Sequence, residues 1–99
     1  MKARILVIDD EPAIRDTMRM TLEYDGHECL TAGSGQEGLT LAERENPDLV
    51  FLDIKMPGMD GLEVLSRLRG MNEALPVVIV SAHGSASAGR EAGRLGAVG

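Results

Sequence analysis

The chain has 99 residues, and 10 Lys plus Arg against 16 Asp plus Glu leave it with a formal charge of −6. That length suits one small domain, and an acidic chain with only 2% aromatic residues excludes a nucleic-acid binder, which needs basic stripes and stacking surfaces. No apolar run nears the roughly 18 residues of a membrane span, and the short apolar run after Arg4 is too brief for a secretory signal core.

Residues 5–8 (Ile, Leu, Val, Ile) form an unbroken, largely β-branched run, the pattern of a strand buried on both faces. Pro12 then opens a helix whose Ile14, Met18 and Leu22 share one face, and Gly26 supplies a left-handed cap. Residues 27–32 are mixed in character and predict a strand nearer an edge. Cys29, within that strand, reads as a small core hydrophobe. A lone cysteine forms no internal disulfide, which fits a reducing cytoplasm. Ser34 with Glu37 makes a capping box for a second helix that carries Leu39, Leu41 and Ala42 and ends at Asn46-Pro47. Residues 49–52 repeat the buried-strand pattern. A third helix starts after Gly61, is lined by Leu62, Leu65 and Leu68, and stops around Gly70. Residues 77–80 complete a fourth strand.

From 82 to 99 there are five Gly and five Ala, which predicts a weak helix or a tail with no strand after it. Strands alternating with helices over short connections imply a three-layer α/β/α sandwich with a central parallel sheet and right-handed crossovers. The whole chain, 1–99, is one domain in this reading, with residues 4–81 as its regular core.

Ligands of open parallel sheets bind beyond the carboxyl ends of the strands. The first strand delivers Asp9-Asp10-Glu11 there, the third Asp53 and the fourth Ser81. Carboxylates converging on one crevice repel unless a cation sits among them. Mg²⁺, a hard ion that takes oxygen ligands at about 2.1 Å, answers that need. Cys29, His27 and His83 show no spacing for a softer metal. The pattern therefore points to phosphate chemistry with magnesium. The plainer alternative makes Asp10 a helix cap, Glu11 a dipole complement and Asp53 a turn residue. Their joint placement at adjacent strand ends favours the site. Pro57-Gly58 and Asp60-Gly61 are assigned to loop geometry and Met56 and Met59 to loop packing. The Lys55 side chain is assigned to solvent, where its position would also let it modulate phosphoryl lifetime, and His83 either to an exposed loop or to a place near the site.

The runs Asp9-Asp10-Glu11-Pro12, Asp53-Ile54-Lys55-Met56-Pro57-Gly58-Met59-Asp60-Gly61 and Ser81-Ala82 resemble the receiver domain of two-component response regulators, over residues 4 to about 84. Ser81-Ala82-His83-Gly84 is similar to receivers of nitrogen-regulation-type transcriptional activators. The resemblance implies a flavodoxin-like sheet order 2-1-3-4(-5). It also implies that Asp53 accepts a phosphoryl group from a phosphohistidine of a sensor histidine kinase. Asp9, Asp10, Asp53 and the main-chain carbonyl of Lys55 would hold Mg²⁺, and Ser81 would hydrogen-bond a phosphoryl oxygen. The added charge would draw the Ser81 loop inward as a two-state switch. The implied partners are the kinase, which would be chosen around residues 14–19, an ATPase or DNA-binding output domain outside this chain, and a second copy in a homodimer. The setting is cytoplasmic, without membrane or direct nucleic-acid contact. Such a domain assists its own phosphorylation and dephosphorylation and is not otherwise an enzyme.

The chain departs from the family pattern near its end. The family's fifth strand ends in a lysine that contacts the phosphoryl group, whereas this chain contains only Lys2 and Lys55. The aromatic switch residue of that strand has no counterpart in Tyr24 or Phe51. Residues 91–97 resemble the end of the family's fourth helix, so the fifth strand and helix are expected to be absent. A fragment of a longer receiver, altered terminal residues, and a short form completed by another subunit all account for this. Two rival functions follow. One is a receiver-like interaction domain that accepts no phosphate. The other is a phosphatase with an aspartyl-phosphate intermediate, which needs an acid at position 55 where this chain has Lys.

Overall fold

The computed structural model describes residues 2–54 and 60–79. Their order is β1 (Arg4–Ile8), α1 (Pro12–Tyr24), β2 (Glu28–Ala32), α2 (Gly35–Glu45), β3 (Leu49–Leu52), α3 (Gly61–Met71) and β4 (Val77–Ile79). All strands pair in parallel, in the order β2-β1-β3-β4. The expected sheet order is present, with β2 at an edge. The step from β1 to β2 runs one way across the sheet, and the later steps run the other way. Right-handed crossovers therefore put α1 on one face and α2 with α3 on the other. Packing agrees, with α1 against β1 and β2, and α2 against α3.

Strand alternation sorts the apolar residues between these faces. Leu6, Ile8, Val50, Leu52 and Val77 join Leu39, Ala42, Val64, Leu65 and Leu68 in one buried cluster beneath α2 and α3. Each larger side chain there contributes about 1.5–3 kcal/mol of transfer free energy. The opposite face is covered unevenly. Ile5 and Val7 are buried, but Leu49, Phe51 and Val78 are only half-buried. No residue of α1 is fully buried, and Ile14 is 44% exposed. The expectation that 49–52 is buried on both faces is thus corrected. Among the described residues only α1 lies on that side, and it sits over β1 and β2.

The helix ends follow local chemistry. Pro12 starts α1, but the cap position is Glu11, whose side chain makes no capping hydrogen bond, so the reading of Asp10 as the cap is also corrected. At the far end Gly26 has φ +88°, a conformation only glycine adopts freely, and the Gly26 and His27 N–H groups donate to the carbonyls of Glu23 and Leu22, both at 3.0 Å. Ser34 caps α2 by accepting the Glu37 N–H at 3.2 Å. The Glu37 carboxylate answers at the Gly33 N–H, 3.3 Å away, one residue earlier than in a usual capping box. Asn46 ends α2 at φ +47°, just before Pro47. Asp60 caps α3 by accepting the Leu62 N–H at 2.9 Å. This helix includes Gly61 and Met71, one residue more at each end than the periodicity predicts. The loop at 55–59, Val80, Ser81 and the Gly/Ala-rich stretch at 82–99 lie outside the described residues.

Candidate functional site

β1 and β3 are neighbours with Ile8 opposite Leu52. The residues that follow, Asp9 and Asp53, therefore leave the sheet side by side. The ladder continues one step beyond both strands: the Asp53 N–H donates to the Ile8 carbonyl at 2.9 Å and the Asp9 N–H to the Ala32 carbonyl at 3.0 Å. Asp9 is buried, while Asp10 and Asp53 are half-buried. One carboxylate oxygen from each of Asp9, Asp10 and Asp53 lies within 4.8 Å of the other two. Three of the residues singled out from sequence thus share one crevice. Lys55 and Ser81 fall outside the described residues, as do Met56, Pro57, Gly58, Met59 and His83.

The acids also shape the chain around them. Asp9 Oδ1 accepts the Glu11 N–H at 2.9 Å, so the side chain that orders the entry to α1 is Asp9. On the other strand, Gly61 lets the start of α3 lie against the residue after Asp53. Its N–H donates to the Ile54 carbonyl at 3.2 Å, and a Cβ at position 61 would come within 2.5 Å of that carbonyl oxygen. Asp60-Gly61 therefore serves backbone geometry, as the sequence suggests, by a cap and a close approach.

Three carboxylates this close repel one another. Each fully ionised pair at 4.8 Å costs roughly 3 kcal/mol at an effective dielectric of about 20. A divalent cation with a preference for oxygen removes that cost, and the donor set of carboxylates without imidazole or thiolate fits Mg²⁺. The other candidate ligands are engaged elsewhere. His27 Nδ1 accepts the Ala3 N–H at 3.0 Å, at the opposite end of β1. Burial pushes the Cys29 thiol up, with Glu23 acting in the same direction and Arg19 against it. That is the environment of a structural cysteine.

One residue beside the site escaped the sequence reading. Arg15 reaches back from α1 and donates from a guanidinium nitrogen to the Asp9 carbonyl at 2.7 Å. A signal was present, since a cation in the opening residues of a helix opposes the helix dipole and asks for a tertiary reason.

Comparison with known proteins agrees with this geometry. A model of the response regulator receiver domain matches residues 5–99. The response regulator MprA of Mycolicibacterium vanbaalenii is 42% identical over 96 residues, covering 94% of this chain and 42% of that protein. Sporulation initiation phosphotransferase F of Bacillus subtilis is 37% identical over 98 residues, covering 99% of this chain and 79% of that protein. The crystal structure of NtrX from Brucella abortus superposes with a TM-score of 0.92 at 41% identity, over 99% of this chain and 23% of that one. The chain thus spans less than half the length of MprA and less than a quarter of NtrX. Among the described residues, no helix is long and apolar enough to cross a membrane.

Proposed function

The chain belongs to the response regulator receiver domain family, and on that premise we propose that it is a phosphoacceptor switch whose acceptor is Asp53. The observation that carries this reading is the meeting of Asp9, Asp10 and Asp53, one oxygen each within 4.8 Å, at the carboxyl ends of β1 and β3. A carboxylate oxygen of Asp53 forms the new O–P bond as the N–P bond of a kinase phosphohistidine breaks. The electron pair of that bond returns to the imidazole nitrogen. In-line transfer of this kind needs positioning and charge neutralisation more than a dedicated base.

Bound Mg²⁺ would supply that neutralisation, held by Asp9, Asp10, Asp53 and the main-chain carbonyl of Lys55. The hydrogen bonds from the Asp53 and Asp9 N–H groups to Ile8 and Ala32 keep the two carboxylates in register with the sheet. Ser81 would hydrogen-bond a phosphoryl oxygen and couple the new charge to its own loop. The partners in this reading are a cytoplasmic sensor histidine kinase and an output domain that regulates transcription. The lengths of MprA and NtrX beyond the matched segment are the motive for the output domain.

Incubation with acetyl phosphate and Mg²⁺ tests the proposal. The expected result is one hydroxylamine-labile phosphoryl adduct, detected by intact mass, that needs the metal and is abolished in Asp53→Asn. A chain that gives no adduct would instead be a receiver-fold interaction module. Rapid turnover of phosphate esters would make it a phosphatase.

A further inference from the structure

We propose that Arg15 is a positioning residue that sets the Asp9 carboxylate for metal binding by holding its main chain from α1. The proposal rests on the reading of Asp9 as a metal ligand. Asp9 is held at three points: its N–H by the Ala32 carbonyl at 3.0 Å, its Oδ1 by the Glu11 N–H at 2.9 Å, and its carbonyl by Arg15 at 2.7 Å. The first continues the ladder between β1 and β2, and the second closes the turn into α1. The third crosses six residues and joins α1 to the end of β1. A charge-assisted bond of this length is among the stronger ones available to a carbonyl.

The guanidinium also has a shaped seat. A Cβ at position 33 would lie 3.2 Å from the same Arg15 nitrogen and 3.5 Å from the guanidinium carbon. Gly33 does not have a positive φ, so glycine serves here by leaving room. Gly33 follows β2 and its N–H is bound by Glu37 of α2. Arg15 is therefore packed between the carboxyl ends of β1 and β2 and links the metal-binding turn to both. It acts on the metal only through Asp9, as an outer partner that orients a ligand.

The test is a titration of the chain with Mg²⁺ alone, followed by the backbone amide shifts of residues 9, 10 and 53. Arg15→Met keeps the aliphatic stem and removes the donor, and it should weaken Mg²⁺ binding roughly tenfold. Arg15→Lys keeps a donor and should restore most of the affinity. Gly33→Ala crowds the guanidinium and should weaken binding by a smaller factor. In the double variant that factor should vanish, because the group it disturbs is gone. A merely structural loss would not produce this dependence, and unfolding in EDTA measures any such loss separately. Native affinity in Arg15→Met, or full additivity with Gly33→Ala, would overturn the assignment while leaving the phosphoacceptor reading intact. A native chain whose amides ignore Mg²⁺ would overturn the metal site and this role together.

Discussion

Two alanine substitutions in one helix should have opposite signs. At Gly61 a Cβ would fall on the backbone of Ile54, 2.5 Å from its carbonyl oxygen and 2.8 Å from its carbonyl carbon. Backbone cannot rotate aside as a side chain can, and Ile54 is itself buried in the core cluster. Overpacking costs about 1–3 kcal/mol, and losing the 3.2 Å bond from the Gly61 N–H to Ile54 adds about 1 kcal/mol. The entropy that alanine removes from the unfolded chain gives back at most about 1 kcal/mol. The net is a loss of about 2 kcal/mol, or a melting point lower by roughly 8–16 °C in a domain of this size. At Gly70, near the end of α3, a Cβ meets nothing within 4 Å. There the same substitution should stabilise by about 0.5 kcal/mol. Thermal unfolding followed by circular dichroism reads both. If Gly61→Ala were as stable as native, the close approach of α3 to the residue after Asp53 would be wrong, and so would the account of why glycine stands there.

Two further outcomes follow from the site and the fold. Mg²⁺ at ten times its dissociation constant should stabilise the chain by about 1.4 kcal/mol, a rise of roughly 5–10 °C by scanning calorimetry. Asp9→Asn or Asp53→Asn should lose most of that increment, since each removes one of the three carboxylates that lie within 4.8 Å of one another. A Mg²⁺-dependent rise that stayed at its native size in Asp9→Asn and Asp53→Asn would refute the idea that these acids hold the ion. Ser34→Ala removes the bond from the Glu37 N–H to the cap of α2 and should cost about 1 kcal/mol, measured by urea unfolding.

Much of this was legible from residue order because strand and cap signals here are local. The apolar runs at 5–8 and 49–52, Pro12, Ser34 with Glu37, Gly26 and Asn46-Pro47 each mark an element through the chemistry of a few neighbouring residues. The acids at the strand ends were legible for the same reason, since β1 and β3 deliver Asp9 and Asp53 wherever the parallel order holds. What local pattern does not carry is contact between distant segments. The half-cover of Leu49, Phe51 and Val78 depends on where α1 lies across the sheet. The Gly61 approach to Ile54 and the grip of Arg15 on Asp9 depend on three-dimensional placement. The reading of Asp10 as the side chain that caps α1 failed for a related reason. Asp9 and Asp10 are both good capping types, and only the geometry at the end of β1 sends Asp9 Oδ1 to the Glu11 N–H.

Asp9 shows how the charge and the fold depend on each other. It is a buried carboxylate at 4% exposure, and a buried charge is tolerated only when its surroundings supply hydrogen bonds or a counter-charge. The Glu11 N–H meets part of that demand, and the guanidinium of Arg15 lies against the main chain of the same residue. A carboxylate oxygen of Asp9 still lies within 4.8 Å of one from each of Asp10 and Asp53. Their mutual repulsion is concentrated in the crevice that the three acids share. The formal charge of −6 is in part this feature: acids placed by the sheet ladder where a bound cation would relax their mutual repulsion. On the proposed reading such a site would link metal occupancy to stability through three acids of unequal exposure, Asp9 buried and Asp10 and Asp53 half-buried.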